Sequence, residues 1–301
     1  MVELPALALA SVPGRRLATL ELAREIERRG FSGIYCASFG DAMGLCLSLA
    51  HTTKTLRFGT AIANIYARTP FDMGQAAAYL HEVSGGRFRL GLGVSHAPAN
   101  ARLGARPGKP LADMRTYLDA VRAGSKVYGE LPPVMLATLR RKMVGLAAEL
   151  AEGAVWANAA RSHMARSLAV LPAERRTDKF FVGDMIPTCV DDDSAAAKAV
   201  NRKTLSGYLL LPNYRNYWKE AGYVEEMEAV EVALARGERE RLPSLMSDRW
   251  LSDTTLSGSA SQVREGIEAW RAAGVTTPIV VPSSTRGGQL KPFEEVLAAF
   301  A

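Results

Sequence analysis

Of the four histidines in the chain, His51, His81, His96 and His163, only His96 stands where a protein of this type keeps its chemistry. It closes the run Gly91-Leu92-Gly93-Val94-Ser95-His96, directly after an apolar segment that begins at Phe88. The carboxyl end of a parallel strand faces the side on which such folds place their sites. An imidazole with an ordinary pKa of about 6.5 can give or take a proton around neutrality. His96 is therefore the catalytic candidate, set against the plainer reading of a structural histidine. His51 and His81 fall within helical sequence and read as structural. Two more strand ends carry small or polar residues: Ser38-Phe39 after Ile34-Tyr35-Cys36, and Ala61-Ile62 after Leu56-Arg57-Phe58-Gly59-Thr60.

Other chemistries find little support. Gly91-Leu92-Gly93 starts like a dinucleotide fingerprint, but His96 stands at the third glycine position and no long helix opens after it. The two glycines suit instead a flat ring approaching the backbone closely. No His, Cys or carboxylate residues fall at metal-ligand spacing, so no metal is expected. Asp191-Asp192-Asp193 reads as the charged, capped start of a helix. Neither a Gly-x-Ser-x-Gly elbow nor a Gly-Lys-Ser/Thr loop occurs. Cys36, Cys46 and Cys189 are too few and too far apart for a disulfide framework or a zinc site.

The elements that must hold these residues alternate along all 301 residues. Apolar stretches at Leu4–Ala10, Gly33–Ala37, Leu56–Asn64, Phe88–Ser95, Pro133–Thr138, Ala154–Asn158, Phe180–Pro187 and Thr277–Val281 read as strands, mostly apolar throughout because both faces are covered. Helical patterning lies between them: Leu22 and Ile26 in a first helix from about Leu17 to Arg29, then Met143, Leu146, Ala147 and Leu150. A later helix carries Val263, Ile267 and Trp270 and is entered through Ser259-Ala260-Ser261-Gln262, a capping box. Eight rounds of strand and helix predict an α/β fold, a (β/α)8 TIM-type barrel forming one domain over residues 1-301. The rhythm breaks at about 201-257, where charged helical sequence reads as an insertion before the last βα unit. Tyr208, Tyr214, Tyr217 and Trp218 within it either line a pocket or pack on the barrel.

The net charge of +6 favours anionic ligands such as a phosphorylated or polyglutamylated cofactor. The basic residues are scattered and lack a recognition motif, so no nucleic-acid partner is expected. The early apolar run lacks a basic flank, and no stretch reaches the roughly 20 apolar residues of a membrane span. The expectation is a cytoplasmic protein with no membrane partner. The turn Asn158-Ala159-Ala160-Arg161-Ser162 offers helix-terminal amides and one cation to a phosphate, although Asn158 also suits a plain cap.

Gly30-Phe31-Ser32-Gly33-Ile34-Tyr35, Leu56-Arg57-Phe58-Gly59-Thr60-Ala61-Ile62, Arg68-Thr69-Pro70, Ser84-Gly85-Gly86-Arg87-Phe88 and Gly91-Leu92-Gly93 together resemble the bacterial-luciferase-like superfamily. Gly91 to His96, and Leu136 to Leu139 through to Gly153, look most like its branch that uses the deazaflavin coenzyme F420. The resemblance covers about residues 5 to 160, and beyond that rests on Gly258 to Gly274 and the terminal strand. It implies a barrel whose cofactor ring lies at the strand carboxyl ends, against a bulge with a non-prolyl cis peptide at Ala61-Ile62. Ser38, Phe39, Ala61, Ile62, Asn64, Gly93 and Ser95 are then the residues expected at the ring, with Asn158, Arg161 and Ser162 at the phosphate. Relatives often carry an Asp-His pair where this chain has Ser38-Phe39, which puts a proton relay there in doubt; His96 replaces the acid that some carry at the fourth strand.

The resemblance implies an F420-dependent oxidoreductase moving a hydride between the cofactor C5 and a small organic substrate. The alternatives are an FMN-dependent luciferase-like monooxygenase and, in another class, a non-catalytic flavin- or deazaflavin-binding protein. A homodimer is compatible with the apolar helices.

Overall fold

The structure is a computed structural model that describes residues 3–38, 40–177 and 179–301. Its strands are β1 (Ala6–Leu9), β2 (Gly33–Cys36), β3 (Arg57–Thr60), β4 (Ala63–Asn64), β5 (Phe88–Gly93), β6 (Val134–Ala137), β7 (Gly153–Ala157), β8 (Phe181–Val190), β9 (Leu256–Gly258) and β10 (Thr277–Ser283). The fold is α/β, a (β/α)8 barrel of TIM type in which parallel strands alternate with covering helices. Each of the eight stretches expected to be extended contains a strand. The third is split into β3 and β4. β9 was not anticipated, because three residues containing Ser257 and Gly258 show no periodicity. The chain divides into two compact units, Met1–Val155 with Val170–Gly183, and Trp156–Ala169 with Asp184–Ala301.

In the first unit β1, β2 and β3 pair in parallel, with Leu7 opposite Ile34 and Ile34 opposite Phe58. β3 pairs with β5, and β5 with β6. All residues of β1 and β2 are buried, as expected for strands covered on both faces. Two charged side chains finish the turns beneath this sheet. One Glu27 carboxylate oxygen accepts from the backbone amides of Lys54, Thr55 and Leu56, which lead into β3. Arg87 donates to the carbonyls of Ser84, Leu56, Ala50 and Thr53 and to the Thr53 hydroxyl. The Arg87 of the Ser84-Gly85-Gly86-Arg87-Phe88 motif is thus a structural cross-tie. Arg87→Ala is expected to cost about 3 kcal/mol, since it strands several half-buried carbonyls, and Arg87→Lys should recover only part because an ammonium lacks the planar fork. Urea denaturation of both variants measures this.

The second unit holds β8 from Asp184 onward beside β9, with Thr188 opposite Leu256, and the helices Ser194–Leu209, Pro212–Glu220, Val224–Ala235 and Asp248–Thr254. The segment expected as an insertion is helical, but its first helix already starts at Ser194. Asp193 caps that helix by accepting from the amides of Ala195 and Ala196, as the acidic cluster suggested. The aromatic residues pack on one another: Tyr208 on Tyr214, Tyr214 on Trp218, and Trp218 edge-on to Trp250 at 4.7 Å between centroids. Tyr217, Trp218 and Trp250 are fully buried. The helix Ala260–Ala272 opens with the expected capping box, Ser259 and Gln262 exchanging both hydrogen bonds, and buries Val263, Ile267 and Trp270.

Candidate active site

A β-bulge sets the geometry of the site. Gly59 lies opposite Arg89 and Ala63 opposite Leu92, so four steps along one strand face three along the other and one extra residue is inserted. The Ala61-Ile62 peptide bond within it is cis. Where the ladder lapses, the Thr60 hydroxyl stands in for it, donating to the Gly91 carbonyl at 2.7 Å and accepting from the Gly91 amide at 2.9 Å.

This arrangement itself requires the two glycines of β5. A Cβ on Gly91 would lie 1.9 Å from the Thr60 carbonyl oxygen, and one on Gly93 would lie 2.7 Å from the Ile62 side chain. Their bareness admits the bulge, so closeness to a ring is not needed to explain it.

Beyond Gly93 the chain turns sharply. Ser95 has φ of 54°, a left-handed conformation that costs a non-glycine residue of order 1 kcal/mol. The turn sets half-buried His96 at the head of the short helix Ala97–Arg102, whose first turn contains Pro98. Burial lowers the pKa of the His96 imidazole, so the neutral ring predominates at neutral pH.

Asn100, which nothing in the sequence singled out, fastens this helix. It is buried and donates to the Val94 carbonyl at 2.9 Å, while its Oδ1 accepts from Asn64 Nδ2 at 2.8 Å. Asn64 Oδ1 accepts in turn from the Tyr66 amide. Both polar atoms of the Asn64 side chain are thereby engaged, and its Nδ2 joins the end of β4 to the segment carrying His96. Asn100→Ala should destabilise the fold by about 1–3 kcal/mol, because it leaves the Val94 carbonyl and the Asn64 amide unmatched. Chemical denaturation checks the loss.

Ser38, Ile62, Ala63, Asn64 and Ser95 line a cavity of about 280 Å³ together with Asp41, Arg68 and Arg102. That volume lies at the lower edge of the roughly 300–1,000 Å³ usual for small-molecule sites. Asp41 caps the helix Ala42–Thr52 through the Gly44 amide, and Thr69 caps the helix Pro70–Val83. The Arg68-Thr69-Pro70 motif therefore starts a helix and builds a cavity wall at once. His96 adjoins the lining residue Ser95 but does not line this cavity itself, and Phe39 lies outside the described residues.

In the second unit, Asn158, Arg161 and Ser162 lie as expected on the turn after β7, and Asn158 has φ of 57°. Three of the amides there have protein acceptors. Ala159 donates to Asp184, Ala160 to the Tyr217 hydroxyl at 3.0 Å, and Ser162 to Asp253 at 2.9 Å. The Ser162 and Tyr223 hydroxyls also donate to Asp253. Three protein acceptors thus hold the amides of Ala159, Ala160 and Ser162, while the half-buried cation of Arg161 and the Asn158 Nδ2, which has no partner among the described residues, are still on offer. Trp218 Nε1 donates to the Asn158 carbonyl, so Tyr217 and Trp218 of the inserted helices brace the turn.

Asp184 is wholly buried in β8, and its Oδ2 has no partner among the described residues. Burial pushes its pKa up to about 7, opposed only by the hydrogen bond from the Ala159 amide. An acidic residue inside the apolar run Phe180–Pro187 was visible in the sequence as an anomaly. Asp253, in a polar helix, gave no such signal. Among the described residues, no cluster of His, Cys, Asp or Glu could hold a metal, and no helix is long and apolar enough to cross a membrane.

The fold is a barrel with a bulged third strand, and the family model for luciferase-like monooxygenases matches residues 9–277. The chain belongs to that family, and it is an enzyme. It is 27% identical to a provisionally named coenzyme F420-dependent oxidoreductase of Mycobacterium tuberculosis, over 88% of this chain and 90% of that one. It is 26% identical to a 5,10-methylenetetrahydromethanopterin reductase of Archaeoglobus fulgidus, over 76% and 77% of the two chains. Among solved structures, the coenzyme F420-dependent tetrahydromethanopterin reductase of Methanopyrus kandleri superposes with a TM-score of 0.77 at 18% identity, covering 99% of this chain and 98% of that one.

Proposed function

We propose that this chain is an F420-dependent oxidoreductase acting on a small organic substrate. The observation that carries the reading is the likeness, along nearly its whole length, to a relative named for that coenzyme, joined to a second likeness to a methylenetetrahydromethanopterin reductase. The head-group end of such a cofactor takes the cavity of the first unit in this reading, where Ser38, Ile62, Ala63, Asn64 and Ser95 present hydroxyls, amides and small or branched side chains beside Asp41, Arg68 and Arg102. Ala61 and Gly93 complete its rim in this reading, and Arg161 remains the cation for a phosphate near Asn158 and Ser162. When bound, a deazaflavin gives or takes a hydride at its C5.

Everything else falls to the protein. A neutral His96 is ready to accept the proton that an alcohol releases on oxidation, or to return it in the reverse direction. The bond between Asn64 and Asn100 holds the segment bearing that imidazole at the strand ends.

Titration of the purified protein with F420 and with FMN tests the cofactor. The expected result is micromolar or tighter F420 binding, with FMN at least about tenfold weaker, a gap of about 1.4 kcal/mol. Tight FMN binding without F420 binding would favour instead the monooxygenase chemistry that gives the family its description.

A further inference from the structure

The segment bearing His96 is fastened at its far end as well as at Asn100. After the short helix Ala97–Arg102 the chain turns, the Leu103 and Ala105 amides both donating to the Asn100 carbonyl, and then runs on to the helix Pro110–Ala123. Near the start of that helix, Asp113 Oδ2 accepts from the Gly108 amide at 2.7 Å and from the Tyr66 hydroxyl at 2.6 Å. One turn further on, the Tyr117 hydroxyl donates to the Arg68 carbonyl at 3.1 Å. Asp113 and Tyr117 stand at i and i+4 and so share a helix face, and both grip the stretch Tyr66 to Arg68 that follows the bulge.

These bonds form a circuit. Tyr66 gives its hydroxyl to Asp113 and its amide to Asn64, and Asn64 gives its Nδ2 to Asn100. Asn100 in turn donates its backbone amide to the His96 carbonyl and its side chain to the Val94 carbonyl, so it holds the chain at and just before the imidazole. Gly108 then returns the segment to Asp113. A Cβ on Gly108 would lie 2.7 Å from Asp113 Oδ1, so a side chain there would push the carboxylate off its two donors. Burial, and after it Asp113, push the pKa of the Tyr66 phenol up, which keeps that phenol a donor.

We propose that Tyr66 and Asp113 are positioning residues for His96: the bond between them closes the circuit that keeps residues 94–108, and the imidazole they carry, in one arrangement. The proposal rests on the reading that His96 handles the proton, and it adds which groups hold that residue in place. A hydrogen bond to a carboxylate is roughly twice as strong as a neutral one, and this one is partly buried. It joins residues 47 apart in the chain, so it fixes the end of the segment to an element outside it.

The test uses the intact chain without cofactor or substrate. The four imidazoles are followed by NMR through a pH series in the wild type, Tyr66→Phe and Asp113→Asn, with His96→Gln identifying the signal of interest. Burial holds the His96 pKa down, so a loosened segment should move its midpoint up towards the ordinary value of about 6.5 in Tyr66→Phe. The midpoints of His51, His81 and His163 should stay where they are. Asparagine keeps an oxygen for both donors but lacks the charge, so Asp113→Asn should move His96 less.

Trypsin gives a second reading. Arg102 is exposed, and Pro107 protects the bond after Arg106, so cleavage within residues 94–108 reports on the bond after Arg102. Its rate follows the population of the opened segment and should be about tenfold higher in Tyr66→Phe. An unmoved His96 midpoint in Tyr66→Phe overturns the proposal, even with faster cleavage, because the bond then braces the segment without reaching the imidazole. A shift shared by all four histidines also overturns it, since that marks a general loosening. Should Tyr66→Phe not fold, Asp113→Asn carries the same comparison. Neither reading involves F420, so a failure of that cofactor to bind would sink the proposed function and leave this result standing.

Discussion

His96→Ala is expected to lower turnover by about 10²–10⁴-fold, the range for losing a positioned acid or base, with cofactor affinity nearly unchanged. The imidazole heads the short helix after β5, half-buried, and its pKa is lowered by that burial. Below its pKa the ring is protonated and cannot accept a proton. Oxidation rates should therefore fall as pH drops through a value under the ordinary 6.5 of the free group, and the fall should be missing in His96→Ala. Stopped-flow measurement of hydride transfer to F420, across an alcohol panel and a pH series, reads both effects. Full turnover in the variant removes His96 from the mechanism. Cofactor binding with no hydride exchange from any alcohol, aldehyde or enone, even in the wild type, would point to a binding protein without catalysis.

Asp184→Asn should make the protein more stable at pH 8 and leave it nearly unchanged at pH 4. The carboxyl is wholly buried, its Oδ2 is unmatched among the described residues, and its pKa is pushed up to about 7. In the unfolded chain the same group titrates at about 3.9. Between those two values the native state binds the extra proton. Stability from this group is thus greatest below about pH 4, declines as pH rises towards 7, and is flat above it. The shift of about three units corresponds to at most about 4 kcal/mol, an upper bound because a buried site relaxes when it ionises. Asparagine mimics the neutral acid and can keep the hydrogen bond from Ala159. Denaturation at both pH values decides the matter: equal effects of the substitution at pH 4 and pH 8 would show that Asp184 does not titrate in this range.

The cavity and the phosphate turn illustrate different limits of legibility. Ser38 and Ser95 were legible as strand ends, because the end of an apolar run is a local property and its direction follows from the parallel pattern, whereas Asn64 entered only through the family resemblance. Arg102 and Asn100 were missed, since they lie in a six-residue helix too short for a periodic signal. The turn Asn158 to Ser162 was legible, but not that the amides of Ala159, Ala160 and Ser162 have protein acceptors. Asp253 stands 91 residues from Ser162, and no local pattern indicates that its carboxylate accepts from that amide.

The amino-acid sequence by itself determined the alternation of strands and helices, the (β/α)8 class, the helix caps and the position of His96 after the fourth barrel strand. All of these depend on neighbours within a few residues, where periodicity and capping chemistry act. Only the tertiary structure decided that Gly91 and Gly93 are bare to admit a bulge, that Asn64 is tied to Asn100, and that the aromatic residues of the inserted helices pack together. Those outcomes depend on which distant groups come within hydrogen-bond or van der Waals range, and that is a property of the folded chain.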